Sequence, residues 1–216
     1  MTIILDSVSK IYETRKGERV ILDNASLTIN RGESLGILGR NGAGKTTLLR
    51  MIGGVEAPTG GQIRREMSVS WPLGFAGGFQ GSLTGAENTR FIARIYGVPL
   101  ESALKSVNEF AELGDYFYVP VKNYSSGMMA RLSFGLSLAI EFDCYLIDEI
   151  IAVGDPSFRR KCDAALAARR ANSSTIMVSH EMATLKRFCS SAAVLNNAKL
   201  TYYQDIEEAA RVYAAL

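Results

Sequence analysis

The sequence has few of the features that mark a membrane-spanning, secreted or nucleic-acid-binding chain. Its 216 residues contain no apolar run of about 18 residues, the length that a transmembrane helix needs, so we expect no transmembrane segment. The N-terminus has no basic segment followed by an apolar one, which argues against a signal peptide. The formal net charge is only +2 and there is no long basic run, so nucleic acid is not an expected partner.

Cysteine is scarce as well. The three cysteines, Cys144, Cys162 and Cys189, are odd in number and lack the spacing of a metal site. We therefore expect small core residues in a reducing compartment. With 47% hydrophobic and 21% charged residues, the chain is expected to bury one sizeable core and has room for a small inserted subdomain.

A glycine-rich loop is the most informative stretch. It matches the phosphate-binding pattern G-x-x-x-x-G-K-[ST], and its candidate binding residues are Gly39, Asn41, Gly42, Ala43, Gly44, Lys45, Thr46 and Thr47. A predicted strand at 34–38 precedes the loop and a predicted helix at 46–52 follows it. The glycines let backbone N–H groups turn toward an anion, and the helix N-terminus adds its positive dipole end. Lys45 can reach the β- and γ-phosphates of a nucleotide, and the Thr46 hydroxyl can bind Mg²⁺. The alternative is a plain turn before an ordinary helix.

Two acids and the only histidine follow later predicted strands. Asp148 and Glu149 end the apolar run 144–147. Because the carboxyl ends of parallel strands meet at one edge of a sheet, both acids are expected beside the phosphate loop. There Asp148 is expected to hold Mg²⁺, and Glu149 to orient or deprotonate an attacking water; solvated acids are the alternative. His180, at the end of the predicted strand 174–180, can hydrogen-bond a γ-phosphate or that water, although a lone histidine often has no special role.

A second candidate anion site opens the long helix predicted at 126–142. Ser125, Ser126 and Gly127 cap this helix and leave several N–H groups free. One nucleotide cannot easily fill this site and the phosphate loop of the same subunit, so we expect it to face the phosphate of a partner's ATP. An ordinary N-cap is the alternative. Asp155 also precedes a predicted helix, and there an N-cap role and a nucleotide role are compatible.

An antiparallel β section is predicted before the phosphate loop. Strands are expected at 2–5, 20–22 and 25–29, and the last two are expected to meet at Asp23 and Asn24. Tyr12 is the only aromatic residue among the first 70. It can stack on a purine base, or it is a half-buried strand tyrosine.

A helical block is predicted to interrupt the α/β pattern. Helices are expected at 86–98 and 100–113, the first with a capping box between Thr84 and Glu87. The preceding stretch, 71–85, combines many glycines with aromatics. Dense glycine disfavours a regular element and the aromatics suit a sticky surface, so we predict a hinge or docking site, with an internal packing loop as the alternative.

Taken together, these motifs resemble the nucleotide-binding subunit of ATP-binding cassette (ABC) transporters over essentially the whole chain. The phosphate loop resembles the family's Walker A motif, the acids at 148–149 its Walker B motif, and residues 125–127 its signature loop. Asp155, His180 and Tyr12 stand where the family has its D-loop aspartate, switch histidine and adenine-stacking aromatic. The resemblance also assigns Gln80 to Mg²⁺ or water, although Gln80 is closer to the following helix than is usual in the family.

The resemblance implies an α/β fold with a P-loop NTPase (RecA-like) core, an antiparallel β subdomain and an inserted α-helical subdomain. Within a single ABC ATPase domain, 1–216, residues 1–84 and 141–216 would form the nucleotide-binding core. Residues 85–140 would form the helical signature subdomain.

Three segments resemble, more narrowly, the ATPases of capsular polysaccharide exporters of Gram-negative bacteria: 71–85, 125–132 and 150–155. This implies hydrolysis of ATP with Mg²⁺ at the cytoplasmic face of the inner membrane, by two copies closed head to tail beneath an integral membrane permease. Contact with the membrane would run through the permease alone. An ATPase for another exported glycan, such as O-antigen or teichoic acid, and a soluble non-transport ABC ATPase are the alternatives.

Overall fold

Two units make up the computed structural model, which describes residues 1–15, 17–73, 78–148, 156–169, 172–179 and 182–216. The first unit contains the described residues of Met1–Pro72, Phe142–Glu149 and Arg169–Leu216, and the second contains those of Leu73–Glu141 and Ile150–Ala168. None of the helices that the structure describes is long and apolar enough to cross a lipid bilayer.

The described residues contain nine β-strands, which are β1 (Thr2–Thr14), β2 (Gly17–Asn30), β3 (Ser34–Leu38), β4 (Gly60–Arg65), β5 (Val69–Pro72), β6 (Cys144–Ile147), β7 (Ser174–Val178), β8 (Ser191–Asn196) and β9 (Lys199–Tyr203). Their seven α-helices are α1 (Lys45–Ile52), α2 (Gly85–Ile95), α3 (Leu100–Ala111), α4 (Ser126–Ala139), α5 (Pro156–Arg169), α6 (Met182–Phe188) and α7 (Ile206–Ala214). Two short 3-10 helices lie at Gly114–Tyr118 and Val121–Asn123.

The first unit begins with a three-stranded antiparallel sheet in the order β2-β1-β4. The sequence predicted separate strands at 20–22 and 25–29, and this prediction was wrong, because β2 runs through both. Asn24 adopts a left-handed φ of 47°, and its N–H donates to the Ser9 hydroxyl at 2.9 Å. The register shifts at this point, so Asp23 and Asn24 lie at a bulge within one strand and not at the junction of two strands.

The second sheet of this unit has six strands in the order β5-β6-β7-β3-β8-β9. All neighbouring pairs are parallel except β8 and β9. β3, β6 and β7 are buried along their whole length, as expected for parallel strands covered on both faces. β3 lies between β7 and β8, so the loop that follows it emerges near the middle of the sheet.

The second unit is built from helices. The predicted capping box is confirmed: Glu87 N–H donates to the Thr84 hydroxyl at 3.1 Å, and Thr84 N–H donates to the Glu87 carboxylate at 2.8 Å. Three phenylalanine rings pack between α3, α4 and α5, with centroid separations of 5.7 to 6.3 Å; they are Phe110, Phe134 and Phe158. Packing of aromatic side chains therefore holds these helices together.

Two cations cap the C-terminal end of α3. Lys161 Nζ, on α5, donates to the carbonyls of Glu109 and Phe110 at 3.0 Å and to the Glu112 carboxylate at 2.6 Å. Arg131, on α4, donates to the Ala111 carbonyl at 3.3 Å. Cations are favourable at this end of a helix because the last carbonyls are unpaired and the dipole is negative there.

The stretch 71–85, predicted as a hinge or docking site, begins inside the first unit. Trp71 and Pro72 belong to β5, and the Trp71 ring packs edge-on against Phe142 with 5.6 Å between centroids. Leu73 is also buried. The internal packing alternative therefore describes residues 71–73 better, while residues 74–77 lie outside the described part of the chain. The three cysteines are buried and free, as predicted.

Candidate functional site

The glycine-rich loop joins β3 to α1, as the sequence predicted. Gly42 and Gly44 have left-handed φ angles of 77° and 108°, which L side chains rarely adopt. A Cβ on Gly44 would also collide with the Ile21 side chain. α1 then begins at Lys45, where its first N–H groups have no partner within the helix. The backbone of this loop therefore suits an anionic ligand.

Lys45 folds back over the loop. Its Nζ donates to the carbonyls of Gly39 at 2.7 Å and Arg40 at 3.2 Å, and the side chain is buried. Burial lowers the pKa of the Lys45 ammonium, and the nearby Asp148 carboxylate opposes that shift. An ammonium that has lost much of its water is well placed to interact strongly with a phosphate.

Asp148 directly follows β6 and is 6% exposed. Burial raises the pKa of its carboxyl group, while the hydrogen bond from Thr46 and the charges of Arg50 and Lys45 partly offset this effect. Thr46 and Asp148 are therefore in direct contact, as the prediction of a shared magnesium site requires. A hydroxyl and a carboxylate are hard oxygen donors, the kind that Mg²⁺ prefers together with phosphate and water oxygens. Among the described residues, no group of three or more His, Cys, Asp or Glu side chains is arranged so that it could hold a metal ion.

A pocket of about 500 Å³ lies over the loop. The residues that line it are Tyr12, Arg19, Ile21, Asn41, Gly42, Gly44, Lys45, Thr46, Thr47, Asp148 and Val178. It thus brings most of the predicted phosphate and metal residues together with the predicted base-stacking aromatic. Ala43 lies within the loop, where its N–H donates to the Arg40 carbonyl at 3.0 Å.

Arg19 is a lining residue that the sequence did not reveal. Its Nη2 donates to the Gly42 carbonyl at 2.8 Å, so a second cation borders the phosphate loop. Arg19 reaches this position because it stands opposite Tyr12 in the antiparallel pairing of β1 and β2. A prediction would have required the register of that hairpin, which the local sequence does not determine.

The second predicted anion site lies in the other unit. Ser125 is the N-cap of α4, and its hydroxyl accepts from the Met128 N–H at 3.2 Å. Ser125 and Ser126 are exposed and Gly127 is half-buried, so the start of α4 is open to a ligand. Gln80 is in this unit too, with an exposed side chain and a backbone that is hydrogen-bonded to Asn88.

Three predicted site residues, Glu149, Asp155 and His180, lie outside the described residues. Their roles remain predictions. The strands that precede Glu149 and His180 are described, and both are buried in the parallel sheet next to one another.

Comparisons with known proteins agree with these features. The family model described as ABC transporter matches residues 22–152. The chain is 53% identical over 214 residues to the capsule polysaccharide export ATP-binding protein CtrD of Neisseria meningitidis serogroup B, with 99% of each chain covered. It is 52% identical to the ATP-binding protein BexA of Haemophilus influenzae, with 98% of this chain and 97% of the relative covered.

A solved structure of a dimeric ATP-binding cassette, bound to ADP and phosphate in a post-hydrolysis state, matches with a TM-score of 0.76 at 22% identity. The match covers 94% of this chain and 98% of that one. The α/β fold predicted from the sequence, that of a P-loop NTPase, is thus confirmed. From its family match, its relatives and its fold, the chain belongs to the ABC transporter family.

Proposed function

We propose that this chain is the ATP-binding and ATP-hydrolysing subunit of a transporter that exports capsular polysaccharide across the bacterial inner membrane. The observation that carries the proposal is the 53% identity, over nearly the full chain, with a capsule polysaccharide export ATP-binding protein. The pocket over the phosphate loop supports the ATP-binding part, because it combines unpaired backbone donors, two cations and an aromatic ring.

One nucleotide would be held by groups from several elements of the first unit. Lys45 and the loop amides bind the phosphates, and Tyr12 stacks on the base. Thr46 and Asp148 would hold Mg²⁺, which neutralises negative charge on the phosphates when bound. The contact between these two side chains supports that assignment.

Hydrolysis would use the residues that follow β6 and β7. Glu149 orients and deprotonates the attacking water, and His180 stabilises the charge that develops on the γ-phosphate. By the family resemblance Gln80 would help to hold the metal or the water, and Asp155 would contribute from the segment after Glu149. Family membership supports all four roles, and for Glu149 and His180 the positions after β6 and β7 in the parallel sheet add to it.

Two copies would close head to tail around two ATP molecules. Ser125, Ser126 and Gly127 of one copy face the γ-phosphate that the other copy holds, and the exposure of both serines supports this role. Only ATP bridges both surfaces, so it favours the closed dimer over the open one. Each charge-assisted hydrogen bond is worth roughly 1.5–3 kcal/mol, so losing a few after hydrolysis would reopen the dimer.

An exposed apolar face on α2 supports a membrane permease as partner. Phe91, Ile95 and Tyr96 are 54%, 61% and 46% exposed. Phe91 and Ile95 are four residues apart and thus lie on the same side of the helix. Apolar side chains grouped in this way mark protein contact surfaces. The chain would then work at the cytoplasmic face of the inner membrane and touch the membrane only through that permease.

This proposal is tested by deleting the gene in its own host and then supplying wild-type or variant copies. We expect the deletion to abolish surface polysaccharide, wild type to restore it, and Glu149→Gln to fail while its purified protein still binds ATP. Lys45→Ala should fail because ATP affinity is lost. Tyr202→Phe, a change on β9 outside the pocket, serves as the matched control. Normal surface polysaccharide in the deletion strain would contradict the proposed substrate, and normal ATPase turnover in Glu149→Gln would contradict the assigned base.

A further inference from the structure

The ring of Tyr12 is held by two side chains that do not line the pocket. Its hydroxyl donates to the Glu56 carboxylate. Lys10 Nζ lies 2.8 Å from that carboxylate, 2.8 Å from the Ala57 carbonyl and 5.0 Å from the centroid of the Tyr12 ring. The cation occupies one face of the ring and stabilises it there. Tyr12 itself lines the pocket over the phosphate loop.

Glu56 connects this ring to the helix of the phosphate loop. It follows the C-terminal end of α1, where its N–H and that of Val55 donate to the Arg50 carbonyl at 3.3 and 2.9 Å. α1 starts at Lys45 and has 8 residues, so it spans about 12 Å. The carboxylate that anchors the aromatic ring therefore lies beyond the C-terminal end of the helix that begins at the phosphate loop.

The two residues that hold the Tyr12 ring, Lys10 and Glu56, form an ion pair. Burial by itself raises the pKa of Glu56, but the hydrogen bonds from Lys10 and Tyr12, with the charges of Lys10 and Arg50, outweigh it and lower that pKa. Lys10 is 8% exposed. A largely buried ammonium needs such a partner, because unpaired charge in a protein interior is unfavourable.

We propose that Glu56 and Lys10 are positioning residues for nucleotide binding, which fix the Tyr12 ring at the distance from the phosphate loop that an adenine nucleotide spans. This rests on the proposed function, since it assumes that the pocket binds ATP. A ring that is already ordered loses no side-chain freedom when a base stacks on it. Ordering a side chain on binding weakens affinity by about 2- to 12-fold. Lys10 and Glu56 are therefore expected to strengthen ATP binding by this factor.

Tyr12→Phe is the decisive variant, because it keeps the stacking ring and the pair of Lys10 with Glu56 and removes only the hydroxyl. Titration calorimetry on the full chain would measure the affinity for ATP and for inorganic tripolyphosphate, which lacks the base. We expect the Kd for ATP to rise by about 2- to 12-fold and that for tripolyphosphate to stay unchanged. Glu56→Gln should act in the same direction, and adding it to Tyr12→Phe should cause less loss than the two separate effects combined.

The control is Tyr202→Phe, which removes another tyrosine-to-glutamate hydrogen bond in the same unit, to Glu33 at 3.0 Å. It should leave both affinities unchanged.

An unaltered ATP Kd in Tyr12→Phe would overturn the inference, and so would an equal loss for ATP and tripolyphosphate, because the effect would then lie in the loop. Failure of the wild-type chain to bind ATP would overturn the proposed function, and this inference with it. Weaker ATP binding in Lys45→Ala, with Tyr12→Phe unaffected, would overturn the inference alone.

Discussion

Replacing Ser125 with Asp separates the structural role of this residue from its proposed role in binding phosphate. The Ser125 hydroxyl caps α4 by accepting from the Met128 N–H. Asp caps a helix about as well as Ser, and its charge adds about 0.3–1 kcal/mol of favourable interaction with the helix dipole. The variant should therefore be as stable as wild type or slightly more stable.

The same charge should prevent turnover. A carboxylate about 4 Å from a phosphate charge is repelled by about 4 kcal/mol at an effective dielectric constant of 20. A loss of this size corresponds to about a thousandfold in rate. Stability and ATPase activity are thus expected to change in opposite directions, which a simple defect in folding cannot produce.

Thermal unfolding and steady-state ATPase assays test this pair of effects. Ser125→Ala provides the contrast: loss of the cap should cost about 1 kcal/mol and lower Tm by about 2–4 °C. Asp205→Ser is the matched control, since Asp205 caps α7 by accepting from the Glu207 N–H at 2.9 Å and lies far along the chain from the signature loop. Wild-type turnover in Ser125→Asp would refute the assignment of this helix start to a phosphate and leave an ordinary N-cap.

Three further predictions concern the pocket and the core of the first unit. Asp148→Asn should raise the Mg²⁺ concentration needed for half-maximal ATPase by about 10- to 100-fold, because the carboxylate charge is lost. Arg19→Gln should weaken ATP and ADP binding alike in calorimetry, by about tenfold, since the charge next to Gly42 acts on phosphates that both nucleotides share. The Cys144 thiol should resist alkylation at pH 8 until urea is added, as mass spectrometry would show, because burial, with Asp143 adding to it, raises its pKa from 9.0 to about 12. Its contribution to stability should be complete below pH 9.0 and be lost as the pH rises toward 12.

Each of these predictions has an outcome that contradicts it. An unchanged Mg²⁺ requirement in Asp148→Asn, with Asp205→Asn as control, would remove Asp148 from the metal site. If Arg19→Gln weakened ATP binding but not ADP binding, Arg19 would act on the γ-phosphate instead of on shared phosphates. Alkylation of Cys144 in the folded chain would show that the start of β6 opens to solvent.

Local patterns explain which parts of the fold were predictable. The strand before the phosphate loop was predicted at 34–38 and found at Ser34–Leu38, because a short apolar run followed by glycines has one reasonable interpretation. The capping box of α2 was equally predictable, since its two residues are three apart and need no distant partner. In both cases the chemistry that decides the structure is contained in a few neighbouring residues.

The rest depends on contacts between distant parts of the chain. Arg19 enters the pocket only through the register of β1 with β2, which the length of the intervening turn sets. Glu56 accepts a hydrogen bond from Tyr12, but it lies 44 residues away in a loop without a recognisable sequence motif. The glycines after Trp71 favoured a surface position for its ring. The ring instead packs against Phe142, which lies two residues before β6. Composition alone could not identify these partners.

The position of β3 between β7 and β8 has a consequence for biosynthesis. Leu35 pairs with Ile176 on one side and with Ser191 on the other, so both neighbours leave the ribosome long after β3 itself. At a synthesis rate of about 5–20 residues per second, that delay is roughly 10–30 s. A nascent chain carries the glycine loop during this time without the sheet that supports it. The pocket, which Val178 of β7 helps to line, is therefore complete only after that strand has been made, so we expect ATP to give no stabilisation to products truncated before β7.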